Sequence, residues 1–358
     1  MRERINKTYN ISSPPPPSPY LPYLPIPHSL LPTPYSLAPM STVSLIRATS
    51  YERETLRESI ETLLEPLGGM TAFVKIGDRV LLKPNLLTGA RPRKECTTRP
   101  EVVYAVAQMV IEAGGKPFLG DSPAFGTAKA VAVANGYQPI LDELNLPIID
   151  FHGKRYETVN EGFNHLLLSK EAMEADVVIN LPKVKSHVQL VLTLGAKNLF
   201  GCVPGKMKAW WHMEAGKDAN RFGEMLVETA RAINPDLTIL DGIIGHEGNG
   251  PSGGEPRPLG VLAASSDVFA LDRAMVEVLN VAPEQVPTVA ASMRLGMVGE
   301  LADIDFPHLR PDILQIDDWR LPDKYIPIDF GMPRVIKSTF KHLYIRFISE
   351  PMKAYGRR

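Results

Sequence analysis

Cysteine is scarce in this chain of 358 residues: it occurs at Cys96 and Cys202, far apart in sequence and outside any CxxC pair. This usage is typical of a reducing, cytosolic compartment, so we expect a cytoplasmic protein; a Cys96–Cys202 disulfide is the less favoured alternative. Because an iron–sulfur cluster usually takes four cysteine thiolates, one copy of the chain cannot supply a cysteine-ligated cluster alone.

Long apolar runs and a charge excess are missing as well. No stretch approaches the roughly 18 apolar residues that a membrane helix needs, which predicts a soluble protein. The chain has 39 Lys+Arg against 40 Asp+Glu and a pI near 6.7. General nucleic-acid binders usually carry a basic excess, so we expect no nucleic-acid partner. A hydrophobic content of 44% suffices for the core of one large α/β domain or two smaller ones.

Proline is concentrated at the start of the chain. Residues 1–39 hold eleven of the 33 prolines, a density that blocks both helices and sheet ladders. We predict a disordered tail over residues 1–39, an α/β domain over 40–300 and a C-terminal extension over 301–358. A dispensable tail before Met40 and a proline-rich docking segment both remain open interpretations of the first part.

Short apolar runs alternate with helical patterns from Met40 onward. Val80–Leu82 and Val177–Ile179 are typical of buried strands, whereas Ala219–Ile233 has the spacing of an amphipathic helix. Such alternation indicates an α/β fold with a mostly parallel sheet flanked by helices. In such sheets, ligands bind beyond the carboxyl ends of the strands.

Four predicted strands end in polar, turn-forming residues. These segments are Lys83-Pro84-Asn85, Gly120–Pro123, the lysine-rich stretch after Asn180, and the glycine-rich stretch Asp241–Pro251. Because the carboxyl ends of parallel strands lie at one edge of a sheet, we predict that these four segments are loops that build one shared pocket.

The third of these segments concentrates positive charge. From Lys183 to Met213, thirty-one residues carry five lysines, two histidines and no acidic side chain. One cation at about 4 Å from a ligand charge contributes roughly 4 kcal/mol at an effective dielectric of 20, before desolvation is subtracted. We therefore predict a small anionic ligand, a carboxylate or a phosphate. The predicted ligand-binding residues are Lys83, Asn85, Ser122, Lys183, Lys185, Asn198, Gly205, Lys206, Asn249 and Gly250.

Candidate catalytic residues lie in the same segments. The neighbouring lysines favour a neutral imidazole at His187, which suits an acid/base or a metal ligand. Lys197 lies between glycines in a sequence typical of an anion cradle, and Asp121 is a candidate base, with helix or turn capping as its alternative role. A divalent metal is one candidate cofactor, for which His212 and Asp241 are the predicted ligands. The stretch from Gly201 to Met207 does not have the spacing of a nucleotide phosphate-binding loop.

Five motifs occur in order along the chain. They are Lys83-Pro84-Asn85, Gly120–Pro123, Leu181–His187, Gly195–Gly201 with Pro204-Gly205, and Asp241–Ile243 with Glu247–Pro251. Taken together, they resemble the family called domain of unknown function 362, over about residues 78–300. Some members of this family carry a C-terminal ferredoxin-like segment, which this chain lacks, and His246 stands where a methionine is expected.

A more distant resemblance is to the nickel-dependent lactate racemase family. The order of His187, Lys197, Pro204-Gly205 and His212 after a buried strand is similar to a region of those enzymes. The resemblance implies an acid/base role for His187, cofactor attachment or anion contact for Lys197, and metal ligation for His212.

Two classes of function remain as hypotheses. The first is an α/β enzyme that acts on a small anion with His187 as acid/base. The second is a non-catalytic binder or carrier of a metal or cofactor, linked to iron–sulfur redox systems. Residues 334–358 alternate basic and apolar side chains, which is typical of a basic amphipathic helix that lies on an anionic membrane or packs on its own domain. The sequence makes no prediction of oligomeric state.

Overall fold

The structure, a computed structural model, describes residues 40–89, 94–124, 126–157, 161–163, 165–205, 207–214 and 218–326. The proline-rich segment 1–39, Lys206 and the basic segment 334–358 lie outside the described residues, and so does the side chain of His212. The predictions made for them, and the predicted domain boundaries, stay predictions. No helix among the described residues is both long and apolar enough to cross a membrane.

The strands of the described residues are numbered in chain order. They are β1 (Ser41–Thr42), β2 (Ser44–Arg47), β3 (Arg79–Pro84), β4 (Lys116–Asp121), β5 (Ile148–Asp150), β6 (Gly153–Glu157), β7 (His165–Ser169), β8 (Val177–Leu181), β9 (Lys183–His187), β10 (Val191–Thr193), β11 (Leu237–Glu247), β12 (Glu255–Ser265) and β13 (Ile304–Asp305).

The helices of the same residues are numbered likewise, and short 3-10 turns connect several of them. They are α1 (Arg53–Leu64), α2 (Met70–Phe73), α3 (Pro100–Glu112), α4 (Ala128–Ala134), α5 (Gln138–Glu143), α6 (Lys170–Met173), α7 (Gly195–Asn198), α8 (Met207–Glu214), α9 (Ala219–Ile233), α10 (Val268–Val278) and α11 (Pro287–Arg294).

A nine-stranded sheet forms the centre of the described fold. Its strand order is β10-β9-β11-β8-β3-β4-β5, with β12 beside β11 and β2 beside β12. Five of its pairings are parallel and three are antiparallel. Two small two-stranded sheets, β1-β13 and β6-β7, complete the strands. The predicted α/β fold with a mostly parallel sheet is confirmed.

Helices cover both faces of this sheet because the inner strands are apolar on both sides. Along β3, Leu82 packs with α1 and α3 in one hydrophobic cluster, whereas Leu81 packs with α9 in another. Successive strand residues point to opposite faces, so a continuous apolar run requires a cover on each side. The predicted bounds of α9 are confirmed at both ends: Asp218 caps its first turn, and Asn234 ends it in the left-handed conformation.

Two of the predicted loops are strands instead. Lys183–His187 forms β9, and Asp241–Glu247 continues β11, with a register shift between Gly242 and Ile244. The prediction of loops was wrong here because it took polar residues as a sign of irregular structure. The sheet accommodates them since Asp241 and Lys183 stand opposite each other in the β11-β9 pairing and neutralise one another.

Candidate functional site

The polar residues that follow β3, β4 and β8, three of the four strand ends predicted to share a pocket, meet at one edge of the sheet. Lys83 is the second-last residue of β3, and Asp121 ends β4. After Pro182 the chain continues from β8 into β9, which follows β8 along β11 in the same direction and carries Lys185. The helical turn α7 brings Lys197 and Asn198 to the same edge, and α8 brings Lys208. We call Lys83, Lys185, Lys197 and Lys208, with Asp121, the lysine cluster.

Lys83 and Asp121 form the buried ion pair of this cluster. The ammonium of Lys83 lies 3.1 Å from Asp121 Oδ1 and donates to the carbonyl of Pro84 at 2.8 Å. Asp121 also accepts the backbone N–H groups of Leu86, at 2.8 Å, and Ser122, at 2.8 Å. A methyl group at Gly201 would lie 2.2 Å from Asp121 Oδ1, so this pair can form only against a glycine.

Lys185 is buried and has neutral partners. Its ammonium donates to Asn85 Oδ1 at 2.7 Å and to the carbonyl of Cys96 at 2.9 Å. Burial, with a smaller contribution from the other lysines, lowers the pKa of Lys185 to about 8. No carboxylate among the described residues forms an ion pair with it, so its charge is only solvated by dipoles.

Side-chain amides connect the strand ends to α7. Asn198 accepts a hydrogen bond from Asn85 Nδ2 at 2.9 Å and donates to Asn180 Oδ1 at 2.8 Å and to the carbonyl of Lys83 at 3.1 Å. All three asparagines are buried. A buried network whose members are all paired fixes its geometry, so the position of α7 relative to β3 and β8 is well determined.

Lys197 differs from the other lysines of the cluster. Among the described residues its ammonium makes no hydrogen bond and no ion pair; it lies 5.0 Å from the ring centroid of Phe200. Part of its side chain remains accessible. Burial and the charges of Lys185, Lys208 and Lys83 lower the pKa of Lys197 to about 7, against which Asp121 acts only weakly.

Lys208 approaches the cluster from α8. Its ammonium donates to the carbonyl of Ser122 and lies 6.0 Å from the ring centroid of Phe200. Burial lowers the pKa of Lys208 to about 8. Ser122 Oγ accepts the backbone N–H of Gly205 at 3.1 Å, which places both predicted binding residues beside the cluster.

Asp272, which the sequence did not predict as a site residue, holds α7 in place from helix α10. This buried carboxylate on α10 accepts the N–H groups of Gly195, at 2.7 Å, and Ala196, at 2.9 Å. A side chain at Gly195 would meet Val268 at 2.6 Å and Asp272 at 2.9 Å. The sequence offers little signal for this role, because Val268–Val278 also holds Arg273 and Glu277; what distinguishes Asp272 is its burial with two N–H partners.

Lys183 belongs to a separate network in which its charge is compensated. Its ammonium lies 2.9 Å from Asp241 Oδ2 and 3.3 Å from Glu95 Oε2, and it donates to the hydroxyl of Tyr51 at 3.1 Å. Tyr51 in turn donates to Asp241 Oδ1 at 2.6 Å, and Arg99 pairs with Glu95 at 3.2 Å. Burial raises the pKa of the Glu95 carboxyl, against the attraction of Lys183. Two carboxylates thus match the charge of Lys183.

His187 and the Asn249 turn lie together, further along β9. His187 shares the strand face of Lys183 and Lys185 and accepts the N–H of Gln189 on Nδ1 at 3.1 Å. The carbonyl of Gly250 accepts the N–H of Val188 at 3.1 Å. Asn249, however, is exposed and donates to Asp323 at 2.8 Å. The turn therefore supports β9, and the described side-chain hydrogen bonds of Asn249 go to Asp323 and not to the lysine cluster.

The described donors do not fit a divalent metal. No three His, Cys, Asp or Glu side chains come together as a ligand set within the ranges that the structure describes. Both oxygens of Asp241 are engaged by Tyr51, Lys183 and the N–H of Arg99, and those of Asp121 by Lys83 and two N–H groups. His246 accepts the N–H of Gly254, and burial lowers its pKa to about 4.

Comparison with known proteins identifies the family. The family described as "Domain of unknown function (DUF362)" matches residues 80–277, more than half of the chain. The chain belongs to this family. The match contains the three strand ends and both helical elements that build the lysine cluster.

One curated relative of this DUF362 protein is similar over most of its length. The thylakoid-associated protein sll1697 of Synechocystis sp. is 66% identical over 316 residues, which cover 88% of this chain and 98% of that protein. Among solved structures, the lactate racemase apoprotein from Thermoanaerobacterium thermosaccharolyticum matches with 12% identity and a TM-score of 0.43, over 64% of this chain and 54% of that one. A similarity this low carries no argument about chemistry.

Lys183 and Lys197 predict opposite effects on stability. Lys183→Met should lower the free energy of unfolding by about 3–5 kcal/mol, because it leaves Asp241 buried without its cation. Lys197→Met should raise it, since the lowered pKa means that folding disfavours the charged amine. That gain should be full below pH 7 and fade from pH 7 toward the pKa of the unfolded chain. Urea denaturation measures both effects; losses of similar size in the two variants would contradict the distinction.

Proposed function

We propose that this DUF362 protein binds a small, multiply charged anion, a carboxylate or a phosphate, at the lysine cluster. The observation that supports the proposal most directly is the charge balance there. Four ammonium groups lie around one carboxylate, Asp121, which already pairs with Lys83. Lys185 and Lys197 have no carboxylate partner among the described residues, and the pKa values of both are lowered.

Electrostatics make this arrangement unfavourable without a counter-ion. Each ammonium raises the free energy of the next, and burial removes the water that would otherwise screen them. An anion at about 4 Å from one such charge gains roughly 4 kcal/mol at an effective dielectric of 20, before desolvation is subtracted. Perturbed groups of this kind occur most often at functional sites.

The same geometry selects for a compact ligand. Lys185 and Lys83 are held in place by Asn85 and Asp121, so they present fixed rather than mobile charges. A group with several oxygens on one centre can contact more than one ammonium at once, as phosphates and carboxylates do. Lys183 contributes to the fold of this site and not to its free positive charge, because two carboxylates already contact it.

Binding should be tested with sulfate, which stays dianionic across the neutral range. We expect sulfate to stabilise the protein most below pH 7 and progressively less as the pH rises through 7 and 8. An anion raises the pKa of Lys197, Lys185 and Lys208 above their values of about 7, 8 and 8 in the free protein, so binding takes up protons. Titration calorimetry in two buffers measures affinity and proton uptake.

The control for this experiment is a lysine outside the cluster. Lys197→Met should weaken sulfate binding at least tenfold, equivalent to about 1.4 kcal/mol. Lys129→Met should not change it, since Lys129 is exposed on α4. Equal affinities in all three proteins, or an affinity that rises with pH, would contradict an anion site at the cluster.

We further propose that His187 supplies acid/base chemistry to a ligand held there. It lies two residues beyond Lys185 on the same strand face and stays partly accessible. While its Nδ1 accepts the N–H of Gln189, the neutral ring carries its proton on Nε2, which is then the group that can donate it.

Substitution of His187 separates an enzyme from a carrier. The ligand is first identified by mass spectrometry of the natively purified protein. With that ligand, His187→Ala should retain the affinity within about threefold and abolish conversion, because an acid/base acts on the reaction and not on ground-state binding. If His187→Ala loses affinity for the ligand and the natural protein shows no measurable conversion of it, the result would favour the carrier.

A second proposal concerns location and rests on the relative named as thylakoid-associated. We propose that residues 334–358, which lie outside the described residues, attach the protein to an anionic membrane surface. The cytoplasmic location expected from the cysteine content stays a prediction beside it.

Vesicle sedimentation tests this attachment. The full chain should bind vesicles that contain an anionic lipid and be released by salt, because basic residues are attracted to the surface potential. A variant truncated at Gly331 should remain in the supernatant, and vesicles of neutral lipid should bind neither protein. Equal binding by the truncated protein would contradict the proposal.

A further inference from the structure

We propose that Lys197 is a nucleophilic amine, which condenses with the carbonyl group of an anionic oxo acid to form a Schiff base. The inference rests on the proposed anion site and extends it by naming a class of ligand. Lys83, Lys185 and Lys208 would hold the acid groups, and Lys197 would react with the carbonyl carbon.

The first argument is that Lys197 differs from the other three amines in its hydrogen-bond partners. Lys83 is paired with Asp121, Lys185 donates to Asn85 and Cys96, and Lys208 donates to Ser122. Lys197 Nζ has no such acceptor among the described residues and keeps an accessible surface. An amine that reacts must have its lone pair available, and of these four only Lys197 has a nitrogen that is not committed to a described acceptor.

The second argument is the neutral fraction of this amine. Burial and three neighbouring ammonium groups lower its pKa to about 7, so a substantial fraction of Lys197 is unprotonated at neutral pH in the ligand-free protein. Desolvation and an adjacent cation are the two general means by which proteins activate a lysine as a nucleophile. Both are present here, and the cations that activate the amine also attract the anion.

The third argument is that the backbone that carries the amine is held rigidly. Its backbone lies in α7, which Asp272 holds through Gly195 and Ala196, and which Asn198 ties to β3 and β8. Gly195 has no room for a side chain. A fixed backbone narrows the positions that the amine can take, so less entropy is lost when it reacts with a bound carbonyl.

The condensation balances without an oxidant, a reductant or a metal. The nitrogen lone pair of Lys197 forms a bond to the carbonyl carbon, and the π electrons move to the oxygen, which receives a proton from the nitrogen. The hydroxyl then leaves with the remaining N–H proton as water, and the nitrogen lone pair completes the C=N bond. When Lys197 is neutral, three ammonium groups and one carboxylate remain, which suits a dianionic oxo-dicarboxylic acid.

Reductive trapping tests the inference, with 2-oxoglutarate as the carbonyl probe and cyanoborohydride as the reductant. We expect a single covalent adduct by intact mass, located on Lys197 by peptide mapping, and competed by sulfate. Its formation should accelerate as the pH rises through 7, since the neutral amine is the reactive form. 2-Hydroxyglutarate, which has no carbonyl, should bind and give no adduct.

Three variants complete the experiment. Lys197→Arg keeps the positive charge and should still bind 2-hydroxyglutarate but form no adduct. Lys197→Met should bind 2-hydroxyglutarate weakly and form no adduct. Lys129→Met should behave as the natural protein. Adducts spread over exposed lysines, or no adduct although 2-hydroxyglutarate binds, would overturn the Schiff base and leave the anion site intact. Failure of sulfate and both organic acids to bind would overturn both proposals.

Discussion

The buried ion pair of Lys183 with Asp241 is the interaction on which the rest of this site depends. It joins β9 to β11 across a register in which the two residues stand opposite each other. A strand with two lysines among its five residues would otherwise be too costly to bury. Once Lys183 is neutralised, β9 can occupy an inner position of the sheet, and the strand carries Lys185 to the carboxyl ends of β3 and β4.

The difference between Lys183 and Lys197 shows how one basic segment serves two purposes. Near Lys183 the protein supplies two carboxylates, a phenol and a neighbouring arginine, so charge and hydrogen bonds are satisfied. Around Lys197 it supplies one carboxylate that is already occupied by Lys83. Positive charge that is paired with carboxylates stabilises the fold, whereas positive charge without such partners favours the binding of an external anion. Sequence proximity alone does not distinguish these environments.

Much of the scaffold could be predicted from the sequence because hydrophobic periodicity determines it. Ala219–Ile233 has its predicted bounds, and β3, β4 and β8 lie where short apolar runs indicated strands. The convergence of Lys83 and Asp121 followed from the rule for parallel sheets, whereas Lys185 and Lys197 reach the same edge on β9 and α7. The roles within the site could not be predicted, since they depend on long-range partners: Tyr51 and Glu95 for Lys183, Asp272 for α7, and Asp323 for Asn249.

The connection between β8 and β9 consists of Pro182 alone. Along β9, Lys183 and Lys185 face one side, while Val184 packs into a hydrophobic cluster on the other. Side chains alternate between the two faces with a period of two. One inserted or deleted residue at this link would therefore point both ammonium groups into the hydrophobic cluster on the opposite face of the strand. The length of this link is therefore as constrained as the identity of the lysines, and any relative that shares the site must keep its spacing.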